Sequence, residues 1–313
     1  MNKSLTIARR EFTDAITSKR FWLIGGLFIL LYLANVYGVA YVFRMGGGTF
    51  GSSRLTLQIG SNVASTLGYM APLLGMALAF DAISGERERG TLRILLSRPL
   101  YREDVLNGKM ISAAAVVGLT IVASTLLSVS ASILLQGIAV TSDDIVRLGF
   151  FIVIAILLAF AYYAISLFVS TFSSKSGYSL TISVGVWIFF AFILPILATF
   201  IASAMVPRPA LVNVTAPTQG REPGQMFTVT GNYTRRIEAI TSTIETISVN
   251  SHYSTIADSL FGLRTGAFGQ QEVTRLDLAG VISTCWVDLL ILVAFPVIFL
   301  VASYVVFTRR QEK

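Results

Sequence analysis

Six long apolar segments alternate with shorter polar segments along the chain. A helix needs about 20 mostly apolar residues to cross the roughly 30 Å hydrocarbon core of a bilayer. The segments that meet this requirement are 21–43, 55–80, 110–138, 149–172, 178–206 and 278–307. The pattern therefore predicts an all-α integral membrane protein with six transmembrane helices.

The polar segments between the spans complete the predicted organisation. Apolar residues at helical spacing in the first twenty positions predict an amphipathic helix lying on the membrane surface. The predicted units are an amphipathic helix at 1–20, five spans within 21–206 with a charged segment at 81–109, an insertion at 207–277, the sixth span at 278–307 and a tail at 308–313.

The insertion 207–277 begins as a predicted irregular linker and continues as helices. Four prolines among polar residues within 207–231 disfavour regular structure there. Isoleucines then recur at helical spacing, at Ile237, Ile240, Ile244 and Ile247. This spacing predicts an amphipathic helix, and a second short one is expected around Ile256 and Leu260. We expect the insertion to cover the outer ends of the spans, to lie on the membrane surface or to dock an extracytoplasmic partner.

Composition strengthens the membrane prediction. Hydrophobic residues make up 54% of the chain and charged residues 13%, about half the charge content of roughly 25% that is usual in soluble proteins. So few charges cannot cover a water-facing surface, which excludes a soluble enzyme or a disordered chain. The net charge of +7 reflects the excess of Lys and Arg that cytoplasmic loops of membrane proteins carry. We therefore expect no nucleic-acid partner.

The placement of basic residues predicts the orientation. Of the 24 Lys and Arg residues, fifteen lie in 1–20, 81–109, 173–177 and 308–313, whereas three lie in the short loops on the other side. The insertion is too long for its charges to influence topology. Because short cytoplasmic loops carry the excess of Lys and Arg, we expect both termini to be cytoplasmic.

Few residues could support catalysis or bind a metal. The chain has one cysteine, Cys285, and one histidine, His252, too few for a His/Cys metal site. An intramembrane enzyme needs a serine and histidine at membrane depth or two facing carboxylates, and His252 is predicted to lie outside the membrane. We therefore name no catalytic residue and no metal site, and keep an intramembrane enzyme only as an alternative.

Asp288 is the one carboxylate inside an apolar span, and it is a candidate ion site. It precedes Phe307 by 19 residues, which is about 28 Å at ~1.5 Å per residue. That distance predicts a position near the outer interface. An ion-coupled secondary carrier remains the second alternative, although such carriers usually contain several buried ionisable residues.

The charged segment 81–109 is the most informative stretch. Eleven of its 29 residues are charged, with acidic and basic residues intermixed. Leu92, Leu95 and Leu96 recur at helical spacing and give this segment one apolar face. Two interpretations remain open from the residues alone, a helix that docks onto another protein and a solvated loop whose charges pair with one another.

The order of residues in this segment resembles a known family. The run Ser-Gly-Glu-Arg-Glu-Arg-Gly-Thr-Leu at 84–92, followed by Leu-Leu-Ser-Arg-Pro-Leu at 95–100 and Gly-Lys at 108–109, resembles the signature of ABC-2 type permeases. The opening Ala-Arg-Arg-Glu-Phe at 8–12 is similar to the amino terminus of that family. These permeases are the membrane subunits of prokaryotic ATP-binding-cassette exporters, and the NosY and NatB branches are the nearest relatives we identify.

The resemblance implies the family's type V exporter-like permease fold and two kinds of partner in a prokaryotic plasma membrane. A separate cytoplasmic ATPase would bind ATP and Mg²⁺, and a second permease copy or a homologous permease would complete the pathway in the bilayer. This chain has no Gly-x-x-x-x-Gly-Lys-Ser/Thr sequence, so we expect it to bind neither cofactor.

The resemblance also implies roles for individual residues. The segment that contacts the ATPase would contain Glu86, Arg87, Glu88, Arg89, Gly90, Thr91, Leu92, Leu95 and Leu96. An elbow helix beside it would contain Arg9, Arg10, Glu11 and Phe12. Spans two and five line the pathway in the family, which makes Tyr69, Met70, Phe189 and Phe192 candidates there.

Overall fold

The computed structural model describes residues 3–45, 52–91, 102–136, 141–207, 224–265, 271–273 and 276–309. These residues are almost entirely helical. The helices are α1 (Lys3–Thr17), α2 (Lys19–Met45), α3 (Ser52–Ala79), α4 (Ser84–Glu88), α5 (Arg102–Gln136), α6 (Ser142–Phe172), α7 (Ser176–Ile188), α8 (Leu194–Met205), α9 (Gly224–Glu245), α10 (Val249–Phe261), α11 (Leu278–Thr284) and α12 (Trp286–Arg309). Two short antiparallel strands, β1 (Leu263–Thr265) and β2 (Gln271–Val273), lie within the insertion.

Six helical segments in the described part of the chain are long and apolar enough to cross a membrane. They are Phe21–Gly38, Val63–Glu88, Glu103–Leu134, Ser142–Phe172, Ser176–Met205 and Trp286–Arg309. The prediction of six transmembrane helices is thereby confirmed, and the protein is a multi-pass membrane protein.

Several boundaries differ from those expected. Helix α5 begins at Arg102, inside the charged segment 81–109 and eight residues before the predicted start of the third span at residue 110, and the acidic side chains of Glu103 and Asp104 stabilise the positive end of its dipole. Helix α9 begins at Gly224, so the predicted irregular linker 207–231 is wrong over its last eight residues. The sixth span is interrupted at Cys285, between α11 and α12.

The fifth span contains one π-helical turn, Phe189–Ile193, between α7 and α8. The amide of Leu194 donates to the carbonyl of Phe189, five residues earlier. Pro195 follows directly and has no amide hydrogen to donate. Because proline removes one hydrogen bond of the regular α-helical pattern, it favours a wider, π-helical turn here. Such turns are frequent at functional sites.

Helices α3 and α6 form the centre of the bundle. Most of the second half of α6 is buried, and the backbones of the two helices touch at Gly75, where an added Cβ would lie 2.0 Å from the carbonyl oxygen of Ala159. Only glycine permits so close an approach. The main apolar cluster is built on these two helices and includes Leu67, Leu74 and Leu158.

Helix α10 of the insertion is packed into this bundle. Its buried side chains, Val249, Tyr253, Ile256 and Leu260, belong to the main apolar cluster. The Tyr253 hydroxyl donates to the carbonyl of Ala64 at 2.9 Å, and Asn250 accepts from the Tyr162 hydroxyl at 2.8 Å. The insertion therefore contributes to the core of the bundle.

The bundle has two ends that are treated separately below. We call the end that holds α1, α4 and the last turn of α12 the terminal face. The end that holds the first turn of α6, together with α10 and α11, is the distal face. Each face contains one deeply buried basic side chain, Lys109 at the terminal face and Arg147 at the distal face.

Candidate functional site

The short helix α4 is anchored by its amino end to the end of α6. The hydroxyl oxygen of Ser170 accepts hydrogen bonds from the amides of Ile83 and Ser84 at 3.1 and 2.9 Å. All three residues are buried. Because the first amides of a helix have no partner within the helix, Ser170 supplies the acceptor that a helix of five residues needs.

Arg87 attaches the same helix to the carboxyl end of α6. Its guanidinium donates to the carbonyl of Thr171 at 3.0 Å and also to the carbonyl of Ser173. The last carbonyls of a helix lack partners and carry partial negative charge. A cation at this position therefore satisfies the end of α6 while it holds α4.

Glu88 attaches α4 to the next helix. One carboxylate oxygen of Glu88 accepts from the amide of Ser176 at 3.0 Å and from its hydroxyl at 2.6 Å. Ser176 is the first residue of α7, so the carboxylate lies at the positive end of that helix dipole. Arg87 and Glu88 thus pair with opposite ends of two consecutive helices.

Glu86 joins the cluster through a buried lysine. Lys109, with 5% of its side chain exposed, places its Nζ 2.7 Å from Glu86 and 2.9 Å from Glu11. Both carboxylates accept hydrogen bonds from the ammonium group. A buried charge is tolerated only when it is paired and hydrogen-bonded, and here one cation connects α1, α4 and α5. We call Glu11, Glu86 and Lys109 the lysine cluster.

Helix α1 approaches α5 closely enough to require a glycine. A Cβ added to Gly108 would lie 2.6 Å from Cγ2 of Ile7 and 3.0 Å from the carbonyl oxygen of Ser4. The Ser4 hydroxyl donates to Asp104 at 2.8 Å across the same contact. The elbow helix predicted from the sequence is therefore fixed against α5 as well as lying along the bundle.

The remaining terminal-face candidates are distributed differently. Arg9 and Arg10 are exposed on α1, and Phe12 is half-buried. Gly90 has a φ of 72° and ends α4, a conformation that glycine adopts at no steric cost. Arg89 and Thr91 are exposed, whereas Leu92, Leu95 and Leu96 lie outside the described residues.

A cavity of about 820 Å³ opens beside the lysine cluster. Its lining includes the charged residues Arg10, Glu11, Glu86 and Arg89 and apolar residues such as Leu74. The terminal face thus combines a short helix that is bonded to α5, α6 and α7 with an adjoining cavity.

The candidate pathway residues meet only in part. The rings of Tyr69 and Phe192 stack with centroids 5.7 Å apart. Phe189 is 42% exposed on the π-helical turn, whereas Met70 is partly buried against the main apolar cluster. The structure therefore brings together Tyr69 of span two and Phe192 of span five, and leaves the pathway role a prediction.

Asp288 has a partner that the sequence analysis missed. His252, which is 3% exposed, places Nδ1 2.6 Å from Oδ1 of Asp288 and Nε2 2.8 Å from the carbonyl oxygen of Thr246. Both ring nitrogens of His252 therefore have an oxygen partner, and the ring joins the insertion to the sixth span. Helix α10 packs His252 into the bundle, and its position outside the membrane stays a prediction. His252 lies three residues after Val249 and four before Ile256, on the apolar face of α10. This helical spacing indicates in the sequence that the histidine is buried.

Arg147 is the buried cation of the distal face. Its guanidinium donates to the carbonyl of Leu260 at 2.8 Å, to that of Leu276 at 2.7 Å and to Asp143 at 2.7 Å. These contacts join α6, the end of α10 and the segment before α11. The charge pattern of the sequence identifies Arg147 only as one of the three basic residues in or beside the short loops on the non-cytoplasmic side. Among the described residues no group of three His, Cys, Asp or Glu side chains is arranged to hold a metal ion.

Comparison with known proteins extends the resemblance along the chain. Residues 5–311 match the family described as ABC-2 family transporter protein. The chain is 28% identical over 218 residues to a probable ABC transporter permease protein NosY of Stutzerimonas stutzeri, covering 68% of this chain and 76% of that protein. It is 33% identical over 210 residues to the protein of the same description in Pseudomonas aeruginosa, covering 63% and 71%. With the signature at 84–109, the six spans and this match over nearly its whole length, the chain belongs to the ABC-2 family of transporter proteins.

Proposed function

We propose that this chain is the permease subunit of an exporter driven by a separate cytoplasmic ATPase, with two permease subunits forming the pathway between them. The observation that carries the proposal is the attachment of α4 to three helices through Glu86, Arg87 and Glu88. Membership of the ABC-2 family and similarity to proteins described as ABC transporter permeases support the same function.

The bonds of α4 make it suitable for transmitting force. Its amino end is held by Ser170, and its charged side chains reach the adjoining ends of α6 and α7. Through Lys109 it is also linked to α1 and α5. A push on α4 would therefore be shared by α1, α5, α6 and α7 without any contact breaking first.

The ATPase would dock on the exposed continuation of α4. Arg89 and Thr91 are exposed there, and the family signature continues through Leu92, Leu95 and Leu96. ATP and Mg²⁺ would be bound by the ATPase, since this chain contains no P-loop sequence. The basic residues near both termini support a cytoplasmic location for this face.

Exposed apolar side chains support contact with lipid and with a second permease. Trp22 and Leu23 on α2 are 67% and 71% exposed, and Phe200 on α8 is 71% exposed. In a multi-pass membrane protein such side chains face either acyl chains or another subunit. We assign these surfaces to the bilayer and to the second copy or a homologous permease.

Purification from native membranes tests the proposal. We expect the tagged full-length chain to copurify with a P-loop ATPase, whose ATP hydrolysis depends on the permease after reconstitution into proteoliposomes. Arg89→Glu should weaken the association at least tenfold, because it reverses an exposed charge beside the docking segment while the lysine cluster remains intact.

Arg235→Glu is the matched control. Arg235 is exposed on α9 of the insertion, so the same charge reversal should leave ATPase association unchanged. Purification without any P-loop partner, together with transport by the chain alone, would contradict the proposed function. Equal losses in both variants would contradict the docking surface.

A further inference from the structure

The cavity of about 820 Å³ beside the lysine cluster is lined by two kinds of residue. Charged residues contribute from α1 and α4, including Arg10 and Arg89, which are both exposed. Apolar residues contribute from the spans α2, α3 and α5, and they include Phe21, Ile24, Leu74 and Val116. A cavity that combines polar groups with the apolar side chains of three spans suits an amphiphile.

Two deeply buried hydroxyl groups belong to the same lining. Ser112 of α5 is 4% exposed and Tyr163 of α6 is 1% exposed. Neither hydroxyl forms a hydrogen bond within the part of the chain that the structure describes, although the ring of Tyr163 stacks on Phe160. The hydroxyl of Tyr32 is also unpartnered but has almost no accessible surface, whereas the hydroxyls of Ser112 and Tyr163 are not closed off in this way.

These two hydroxyls indicate the kind of group that the cavity accepts. Buried hydroxyl groups are nearly always hydrogen-bonded, and each can donate one hydrogen bond. Ser112 and Tyr163 lie on different helices, so together they offer two donors from two sides to one ligand. A head that carries several oxygen acceptors would satisfy both donors.

The charges of the lining favour a head without net charge. The described lining residues balance four basic side chains against four acidic ones, namely Arg10, Lys19, Arg89 and Lys109 against Glu11, Asp14, Asp81 and Glu86. Three of the acidic side chains pair with Arg10 or Lys109. A charged head would therefore lose its hydration in the cavity without meeting an excess of the opposite charge.

The position and size of the cavity indicate where such an amphiphile comes from. Phe21 and Ile24, which line the cavity, flank Trp22 and Leu23, which are exposed on the surface assigned above to the bilayer. Membrane lipid is therefore the nearest source. Pockets that enclose drug-sized ligands measure about 300–1,000 Å³, so 820 Å³ accommodates a glycerol ester head and part of an acyl chain.

We propose that this cavity is a binding site for an uncharged acylglycerol of the membrane. Ser112 and Tyr163 donate to oxygen atoms of the glycerol ester, and the acyl chain packs against Leu74 and Val116. The site goes beyond the proposed function, because it lies within one chain and binding requires no ATPase.

Saturation binding to the purified full-length chain in phosphatidylcholine nanodiscs tests the site. Labelled monodecanoylglycerol should bind saturably at one site per chain, above the non-saturable uptake of empty nanodiscs. Unlabelled monodecanoylglycerol should compete at least about tenfold better than decanoic acid or decylamine, which carry the same chain with a charged head. Glycerol monoacetate, which has the head without the long chain, should compete weakly.

Ser112→Ala and Tyr163→Phe should each weaken monodecanoylglycerol binding about three- to tenfold. Neither variant should lower Tm, because each removes a hydroxyl that no described residue uses, so weaker binding would not result from unfolding. Ser124→Ala and Tyr162→Phe are the matched controls. Their hydroxyls are equally buried on the same two helices, are bonded within the protein and do not line the cavity. The control variants should bind the probe as the unmodified chain does.

Three outcomes would overturn the proposal. An absence of saturable binding would mean that water alone satisfies the two hydroxyls. Equal competition by decanoic acid or decylamine would contradict an uncharged head, and equal competition by glycerol monoacetate would indicate a soluble ligand in place of a lipid. Because no ATPase is present in the nanodiscs, failure here is separable from failure of the proposed function.

Discussion

The two faces of the bundle bury a basic side chain in different ways. At the terminal face the ammonium group of Lys109 is bound by two carboxylate side chains from two other helices. At the distal face the guanidinium of Arg147 is bound by two backbone carbonyls and one carboxylate. Lysine is a compact charge on a flexible stem, whereas arginine offers donors in a fixed planar fork.

This difference indicates different mechanical properties. Contacts between flexible side chains can lengthen and re-form when helices shift, so the lysine cluster can act as a movable joint between α1, α4 and α5. Contacts from a planar group to backbone carbonyls fix the position of the backbone itself. We therefore expect the distal face, held by Arg147, to be the more rigid of the two faces.

The largest expected effect is that of Lys109→Met. Removing the cation leaves Glu11 and Glu86 facing each other in a largely buried site, and losing one partner of a buried ion pair costs about 3–5 kcal/mol. We expect Tm in detergent to fall by roughly 5–10 °C. Combining Lys109→Met with Glu11→Gln and Glu86→Gln should recover most of the lost Tm, because no unpaired charge is then left in the cluster. A triple variant as unstable as the single one would contradict the charge-based explanation.

Arg147→Lys tests the other half of the comparison. The charge is kept, but one ammonium group cannot reach acceptors in three directions, so buried carbonyls lose their donors at a cost of about 1–3 kcal/mol. Thermal melting should detect this loss, while Arg235→Lys on the exposed face of α9 should melt normally. An unchanged Tm for Arg147→Lys would mean that charge alone, and not the planar fork, holds the distal face.

Gly108→Ala tests the attachment of α1. The new methyl group would meet Ile7 and the backbone of Ser4 at under about 3 Å, and overpacking of this kind typically costs 1–3 kcal/mol. We expect a lower Tm and faster proteolysis of α1. Gly149→Ala is the control, since nothing lies within 4 Å of its added Cβ. It should be neutral or slightly stabilising. Equal behaviour of the two variants would contradict the close contact.

The smallest expected effect comes from Asp258→Asn. The pKa of Asp258 is raised from 3.8 to about 6 in the folded protein by desolvation, so the folded state binds its proton more tightly than the unfolded state. Stability therefore falls as pH rises through this interval, and the penalty persists above pH 6. The variant should melt about 1–2 °C higher than the unmodified chain at pH 8, because water partly screens this side chain. The difference should vanish near pH 4, and a lower Tm at pH 8 would refute the sign.

The spans could be predicted from the sequence because each is a long run of consecutive apolar residues. Helix boundaries were harder to predict. The apolar run predicts a third span from residue 110, whereas α5 begins at Arg102, where Glu103 and Asp104 favour the start of a helix. The π-helical turn leaves no trace in the apolar pattern, because Phe189–Ile193 is as hydrophobic as the residues around it.

The candidate site could be located from the sequence, but its contacts could not. Glu86, Arg87 and Glu88 are consecutive, and their partners Lys109, Thr171 and Ser176 lie 23, 84 and 88 residues further along the chain. Local charge alternation leaves open a docking helix and a loop whose charges pair with one another. Only the packing of α4 against α6 and α7 reveals that each side chain reaches a different helix.

The attachment of α1 has a consequence for how the chain is made. Its contacts join residues 98 and 100 positions apart, Glu11 to Lys109 and Ser4 to Asp104. At ~5–20 residues per second, roughly 5–20 seconds of synthesis separate the appearance of α1 from that of its partner helix. During that interval Lys109, the ion-pair partner of Glu11, and Gly108, on which α1 packs, have not yet been made. Helix α1 thus leaves the ribosome before its partner α5 and can reach its final position only after residues 104–109 have been made.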